Sequence, residues 1–219
     1  MTIRKNNINN PLKTEANKII TPTNDKISKN DTQERIIKAV IELIGQKGNI
    51  KITIREICKK ANVNLAAINY YFRSSKNLFI AIEDYFTEEI NSLYKVLEKN
   101  NKDSKEKIMI WSIEFMNFLY QNSGILWLIA NKIIKKDFSG TLYESIIQNK
   151  NLPLYNLIKD ATKINDEAII TAKMVQIISG IVGPLIMFYG IGQDFNFDLR
   201  NKELREFYVS SLLETILSR

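Results

Sequence analysis

Histidine is absent from the 219 residues, and cysteine occurs once, at Cys58. Without histidine there is no Ser-His-Asp triad, no imidazole base and no histidine metal ligand. One cysteine excludes an intrachain disulfide and a cysteine-cluster zinc site, and fits a reducing, cytoplasmic setting. Placed mid-helix, Cys58 reads as a small buried hydrophobe rather than a redox sensor. Glycine and proline are scarce, at eight and four, and no glycine-rich loop offers a cradle for phosphate. These absences point away from an enzyme and call for no metal and no cofactor. No segment alternates apolar and polar residues with a period of two, so no sheet is expected. The opening MTIRKNNINNPLKTEANKI lacks the apolar core of a secretory signal.

What is abundant is basic charge, and it is unevenly placed. The chain carries 31 basic and 24 acidic side chains, a net charge of +7. Residues 1–77 hold fifteen of the basic and six of the acidic groups, whereas the rest is slightly acidic. A basic first third on a nearly neutral body suggests one end that meets phosphate and another that does something else.

Helical periodicity organises the chain. Residues 1–30, with seven asparagines and two prolines, read as a flexible basic arm. DTQERIIKAVIELIGQKGN then opens with a capping signature, Asp31 with Glu34 three residues on, and predicts a first helix ended by Gly48 and Asn49. TIREICKKA carries a second capping box, Thr53 with Glu56, so a short helix starts at residue 53 or 54. Asn62 in ANV suits a left-handed turn position. Asn64 caps a third helix, and Ser74 or Ser75 caps a fourth that reaches about residue 100. Short helices joined by a tight turn describe a helix-turn-helix. Beyond residue 103 only helices are read: 104–121, 124–136, 140–149, 153–162, 165–191 and 201–218. The domains are therefore a 1–30 arm, a 31–77 DNA-binding unit and a 78–219 helical body.

The third helix, NLAAINYYF, mixes amides with aromatics, and a 100° turn per residue sorts them. Leu65, Ala66, Asn69 and Tyr70 share one arc. Asn64, Ala67, Ile68, Tyr71 and Phe72 share the other, which is mostly apolar and should pack inward. The first set suits a DNA major groove: an asparagine bonds adenine N6 and N7 together, Leu and Ala touch a thymine methyl, and a tyrosine hydroxyl bonds phosphate.

Residues 31–79, DTQERIIKAVIELIGQKGNIKITIREICKKANVNLAAINYYFRSSKNLF, closely resemble the DNA-binding domain of the tetracycline-repressor (TetR) family of bacterial regulators. The shared features are a Thr opening the second helix, ANV in place of Ala-Gly-Val, an aromatic pair followed by Phe, then Ser and a Leu-Phe pair. The resemblance implies that Thr53 contacts phosphate, that Leu65, Ala66, Asn69 and Tyr70 face the groove, and that Tyr71 and Phe72 lie at its edge or in the core. The family often has Lys at Leu65 and Tyr at Asn69. Its Lys at the start of the fourth helix corresponds to Ser75, with Lys76 one residue later. Amides at that helix start can hold a phosphate.

In the body, MVQIISGIVGPLIMFYGIG, residues 174–192, is apolar on every side. Gln176, Pro184 and four glycines argue against a membrane span. A buried helix, with Gly180 and Gly183 permitting close approach, is the reading, and the family's four-helix dimer interface implies that its partner is a second copy. IWSIEFMNFLY and ILWLIA gather Trp111, Phe115 and Trp127 with the polar Glu114, Asn117 and Asn131, as either core or an effector pocket.

The expected fold is thus all-α: an N-terminal three-helix DNA-binding domain and a C-terminal helical ligand-binding and dimerisation domain. The expected function is a homodimeric, cytoplasmic transcription regulator that binds a palindromic, A·T-rich double-stranded operator as a repressor. A small hydrophobic or amphipathic effector of unknown identity would release it. The alternative is an architectural DNA-binding or scaffold protein without ligand control.

Overall fold

A computed structural model describes residues 24–98, 101–137, 153–192 and 197–218, and all regular structure among them is helical. The helices are α1 (Asn24–Lys47), α2 (Ile54–Ala61), α3 (Leu65–Phe72), α4 (Ser75–Glu98), α5 (Ser104–Gln121), α6 (Ser123–Lys135), α7 (Pro153–Thr162), α8 (Glu167–Ile191) and α9 (Lys202–Leu217). The predicted helix at 140–149, and the basic arm before residue 24, lie outside the described residues.

The capping chemistry read from the sequence is present from α2 onward. Thr53 Oγ1 accepts from the Glu56 amide at 3.3 Å, while Glu56 Oε2 accepts from the Thr53 amide at 2.8 Å, which completes the box. Asn62 takes the left-handed conformation at φ 52° and ends α2. Asn64 Oδ1 accepts from the Ala67 amide at 2.9 Å, and Ser74, rather than Ser75, caps α4 through the Asn77 amide at 3.2 Å.

The first helix departs from expectation. It begins at Asn24, not at Asp31, so the last seven residues assigned to the arm are helical. Asp31 and Glu34 do not cap it: Asp31 pairs with Arg35 at 3.9 Å and Glu34 with Lys38 at 2.5 Å, each one turn along the same helix. Acidic side chains that can cap can also pair at i,i+4 inside a helix, and no Pro or Gly in NDKISKN stops the helix upstream.

α5 is the central strut. It packs against α4, α6, α7, α8 and α9, and Ile108, Trp111, Phe115, Met116 and Leu119 are all buried. The N-terminal helices join the body where α1 crosses α6. α8 contains Pro184, which has no N–H for the Gly180 carbonyl one turn back. The Tyr208 hydroxyl from α9 donates to that carbonyl at 2.7 Å instead, so the helix continues through the proline. Gly180 also permits the approach of α9, since a Cβ there would lie 2.7 Å from a Leu212 methyl. Gly183 differs: among the described residues, nothing lies within 4 Å of its would-be Cβ. α8 is long and apolar enough to cross a membrane, yet only 22% of its most apolar window is buried. It therefore presents an apolar face that includes Val175, Met187 and Ile191.

Candidate nucleic-acid interface and effector site

The faces of α3 divide as the 100° rule requires. Ile68 and Phe72 are buried against the rest of the domain, while Leu65, Ala66, Asn69 and Tyr70 are exposed together. Leu65 and Tyr70 are 53% and 63% exposed, an expensive arrangement for two large side chains unless something covers them. Tyr71 is half-buried and meets Tyr70 edge-on at 5.1 Å, which fixes the orientation of the exposed phenol. Asn64 is exposed, but its side-chain oxygen is engaged as the cap of α3.

Thr53 sits at the exposed start of α2, where its hydroxyl donates to Glu56 Oε2 at 2.9 Å. An incoming phosphate oxygen competes with that carboxylate for the same proton. Lys47, 2.6 Å from Glu56, together with the Thr53 amide and hydroxyl, holds the Glu56 carboxyl down to about 2. A lowered carboxylate pKa contributes stability that is fully present above the ordinary carboxylate range and is lost progressively as pH falls from there through about 2. The box that orients Thr53 is therefore intact at any pH where the protein would meet DNA.

Ser75 and Lys76 lie exposed in the first turn of α4. Between them and α3 stands Arg73, exposed and at φ 61°, its amide donating to the Asn69 carbonyl at 3.1 Å. Sequence reading passed over this arginine, although FRSSK shows a cation directly beside the reading face. Asn69 and Arg73 also border a crevice of about 240 Å³ whose walls include Ile52, Ile57 and Ile68.

In the body, the candidate effector residues do not form one group. Trp111 and Phe115 stack at 4.8 Å, and Trp111 stacks on Tyr94 at 5.4 Å, so three rings lie nearly parallel. Trp127 instead lies against the ends of α1 and α8, its ring 3.6 Å from a would-be Cβ at Gly48 and 3.8 Å from one at Gly190. Glu114 is exposed and Asn131 half-buried. Asn117 is buried, and its partner is in the chain: Arg205 Nε donates to Asn117 Oδ1 at 2.9 Å. Arg205, also missed in the sequence, is itself buried, donates to the carbonyls of Leu199 and Arg200, and lies 4.2 Å over the Tyr120 ring. These bonds hold the segment before α9 onto α5.

Residues 36–82 match the family model of bacterial regulatory proteins, tetR family. A probable HTH-type transcriptional regulator, YttP of Bacillus subtilis, is 28% identical over 92 residues, which cover 42% of this chain and 44% of that protein. The chain thus spans under half the length of that relative. IcaR of Staphylococcus aureus, a negative transcriptional regulator of a biofilm operon, is 25% identical over 136 residues, covering 62% of this chain and 70% of that protein. Among solved structures, the hemolysin II transcriptional regulator HlyIIR superposes with a TM-score of 0.57 at 22% identity, over 87% of this chain and 99% of the other. A gamma-butyrolactone receptor does so with a TM-score of 0.55 at 14% identity, over 85% and 99%. Both have the present architecture of a helix-turn-helix on a helical body. Through residues 36–82, the chain is thus similar to the tetR family of bacterial regulatory proteins.

Proposed function

We propose that the protein is a homodimeric, cytoplasmic transcription repressor that reads an operator with α3 and is released by a small molecule bound in the helical body. The observation that carries the DNA-reading part is the joint exposure of Leu65, Ala66, Asn69 and Tyr70 on one face of a helix whose other face is anchored by Ile68 and Phe72. Thr53, Arg73, Ser75 and Lys76 flank that face and supply phosphate contacts. Phosphate contacts set position and base contacts set sequence, so the two groups have separable effects.

The reading face has no Arg or Lys, which removes the commonest guanine contact, and its Asn69, Leu65 and Ala66 favour adenine and thymine. The operator is accordingly a palindrome with A·T-rich half-sites one DNA turn apart, about 34–36 Å. Asn69→Ala should lose about 1–3 kcal/mol on the preferred site and relax discrimination at one base pair per half-site. Lys76→Ala should weaken all sequences alike and lower the salt slope by about one unit for each phosphate that Lys76 neutralises. Selection of bound duplexes from random DNA, repeated for each variant across a salt series, checks this. Selected sites rich in G·C under α3, or an Asn69→Ala protein with unchanged preference, would overturn the assignment of the face. A compound screen for release of the selected duplex tests the effector half of the reading.

The unfilled space at Gly183 and the exposed apolar face of α8 support dimerisation through α8 and α9. Among the described residues, Gly183→Leu meets no atom within 4 Å at Cβ. It should leave the helical circular dichroism intact while shifting sedimentation toward the monomer. A Gly183→Leu protein that stays a full-strength dimer would place the interface elsewhere.

A further inference from the structure

The crevice beside the reading face has room for a molecule that the proposed DNA contacts do not account for. It encloses about 240 Å³ between the segment leading into α2, the end of α3 and the start of α4. Ile50, Ile52, Ile57, Ile68, Leu78 and Phe79 form its walls, and Ile54, the first residue of α2, stands 38% exposed among them. Large apolar side chains left open to water so close together mark a surface that something covers. An enclosed apolar cavity of about 150 Å³ accepts a benzene ring, so a crevice of this size has room for two fused rings.

The polar part of the lining carries charge of one sign. Asn69, Arg73, Ser74 and Ser75 complete it, and among the described residues Arg73 is the only charged one. No carboxylate lines the crevice, and Glu56, one position before Ile57, is already held by Lys47 at 2.6 Å and by the Thr53 amide at 2.8 Å. Arg73 stands at φ 61°, a backbone conformation that is costly for any residue with a Cβ and that clusters at binding clamps. α4 opens at Ser75, and the first amides of a helix have no acceptors within it. An apolar cleft lined by one guanidinium and one helix start complements a flat apolar molecule with a single negative charge. A dianionic phosphate would leave half of its charge unmatched there, and a cation would be repelled by Arg73.

We infer that this crevice binds an aryl monocarboxylate, its rings among Ile52, Ile57 and Phe79 and its carboxylate on the Arg73 guanidinium and the opening amides of α4. The site lies in the DNA-binding unit, apart from the effector site proposed for the helical body, and binding there does not depend on that proposal. Asn69 and Arg73 belong both to the crevice and to the proposed operator contacts. Carboxylate and DNA phosphate compete for one guanidinium, so ligand and operator exclude each other directly. That consequence, unlike the binding itself, rests on the reading of α3 as the DNA-reading helix.

1-Naphthoate and 1-naphthalenemethanol, two-ring molecules of nearly equal size that differ in charge, test this on the full-length protein without DNA, by ligand-observed NMR titration. The carboxylate should bind about tenfold more tightly than the alcohol, the value of one charge-assisted hydrogen bond. Arg73→Gln should bring the ratio close to one. Ile54→Glu, which sets a carboxylate into the lining at the exposed first position of α2, should bring it below one. If one variant does not fold, the other carries the test. No saturable binding of naphthoate, equal binding of the pair to the wild-type protein, or a ratio untouched by the folded variants overturns the inference. Naphthoate added to the protein on its selected operator duplex should raise the apparent Kd in proportion to its concentration, without the plateau that a finite coupling between separate sites imposes. A plateau would overturn direct exclusion, whereas naphthoate binding by a protein that binds no operator would remove the regulator reading and leave the crevice as a carboxylate site.

Discussion

Gly124→Ala should destabilise the whole protein by about 3 kcal/mol, at the upper end of what an inserted methyl costs in a packed interior. A Cβ at this position would stand 1.9 Å from the Ile41 carbonyl oxygen, 2.7 Å from its carbonyl carbon and 3.0 Å from its Cα. All three are backbone atoms of α1, so no side-chain rotation relieves the overlap. On the other side of the crossing, a Cβ at Gly45 would meet Ser123 Oγ at 2.3 Å and the Gly124 amide nitrogen at 3.0 Å. Two helices thus touch backbone to backbone where the N-terminal helices join the body, and buried Ile41 and Ile125 flank the contact. Relief requires α1 and α6 to separate, which exposes the apolar surface they share. Urea unfolding followed by circular dichroism measures the loss, with Gly190→Ala as a control expected to cost little because a Cβ there would meet only a Trp127 ring atom at 3.8 Å. A Gly124→Ala protein with an unchanged midpoint would mean that the crossing is looser than described.

How much of this was legible in the sequence differs by the range of the interaction. The faces of α3, the box at Thr53 and Glu56, and the left-handed Asn62 all depend on residues within four positions of one another, and each is found where spacing puts it. The start of α1 failed although it too is local. Asp31 and Glu34 serve equally as caps or as i,i+4 partners, and only the register of the finished helix decides between them. The split at residue 77 falls in the first turn of α4, a helix whose Leu78, Ile82 and Phe86 are buried, so one element serves both units. Of the two glycines singled out for close approach, Gly180 meets Leu212 within the chain, whereas Gly183 faces open space. Sequence shows that a glycine permits contact, not which surface arrives. Arg205 beneath Asn117, and Glu83 beside Lys132, join residues 88 and 49 positions apart. Only the packed body brings them together.

The largest single-site effect is expected at the last of these. Glu83 of α4 and Lys132 of α6 are 6% and 9% exposed, and their charged atoms are 2.5 Å apart. Lys132→Met retains most of the apolar stem but leaves a carboxylate buried without its cation. Removing one member of such a pair costs about 3–5 kcal/mol, more than any exposed ion pair of α1 could contribute. The reverse variant, Glu83→Leu, takes from the Lys132 ammonium the carboxylate 2.5 Å away and should also be destabilised. The double variant carries the decisive arithmetic. Two apolar side chains of similar volume owe no desolvation penalty, so it should recover most of the loss and approach wild-type stability. Thermal and urea unfolding of the four proteins close the cycle, and near-additive losses would show that the two groups do not depend on each other in the folded protein. If the double variant is stable, its operator affinity with and without an effector asks a second question. α4 begins in the first turn beside the reading face and is tied to the body through this pair and its apolar neighbours. With the pair replaced by apolar packing, α4 no longer has a directional link to α6 but keeps its burial. Retained DNA binding together with a weakened response to effector would then assign the pair to transmission between the two ends of α4 rather than to folding.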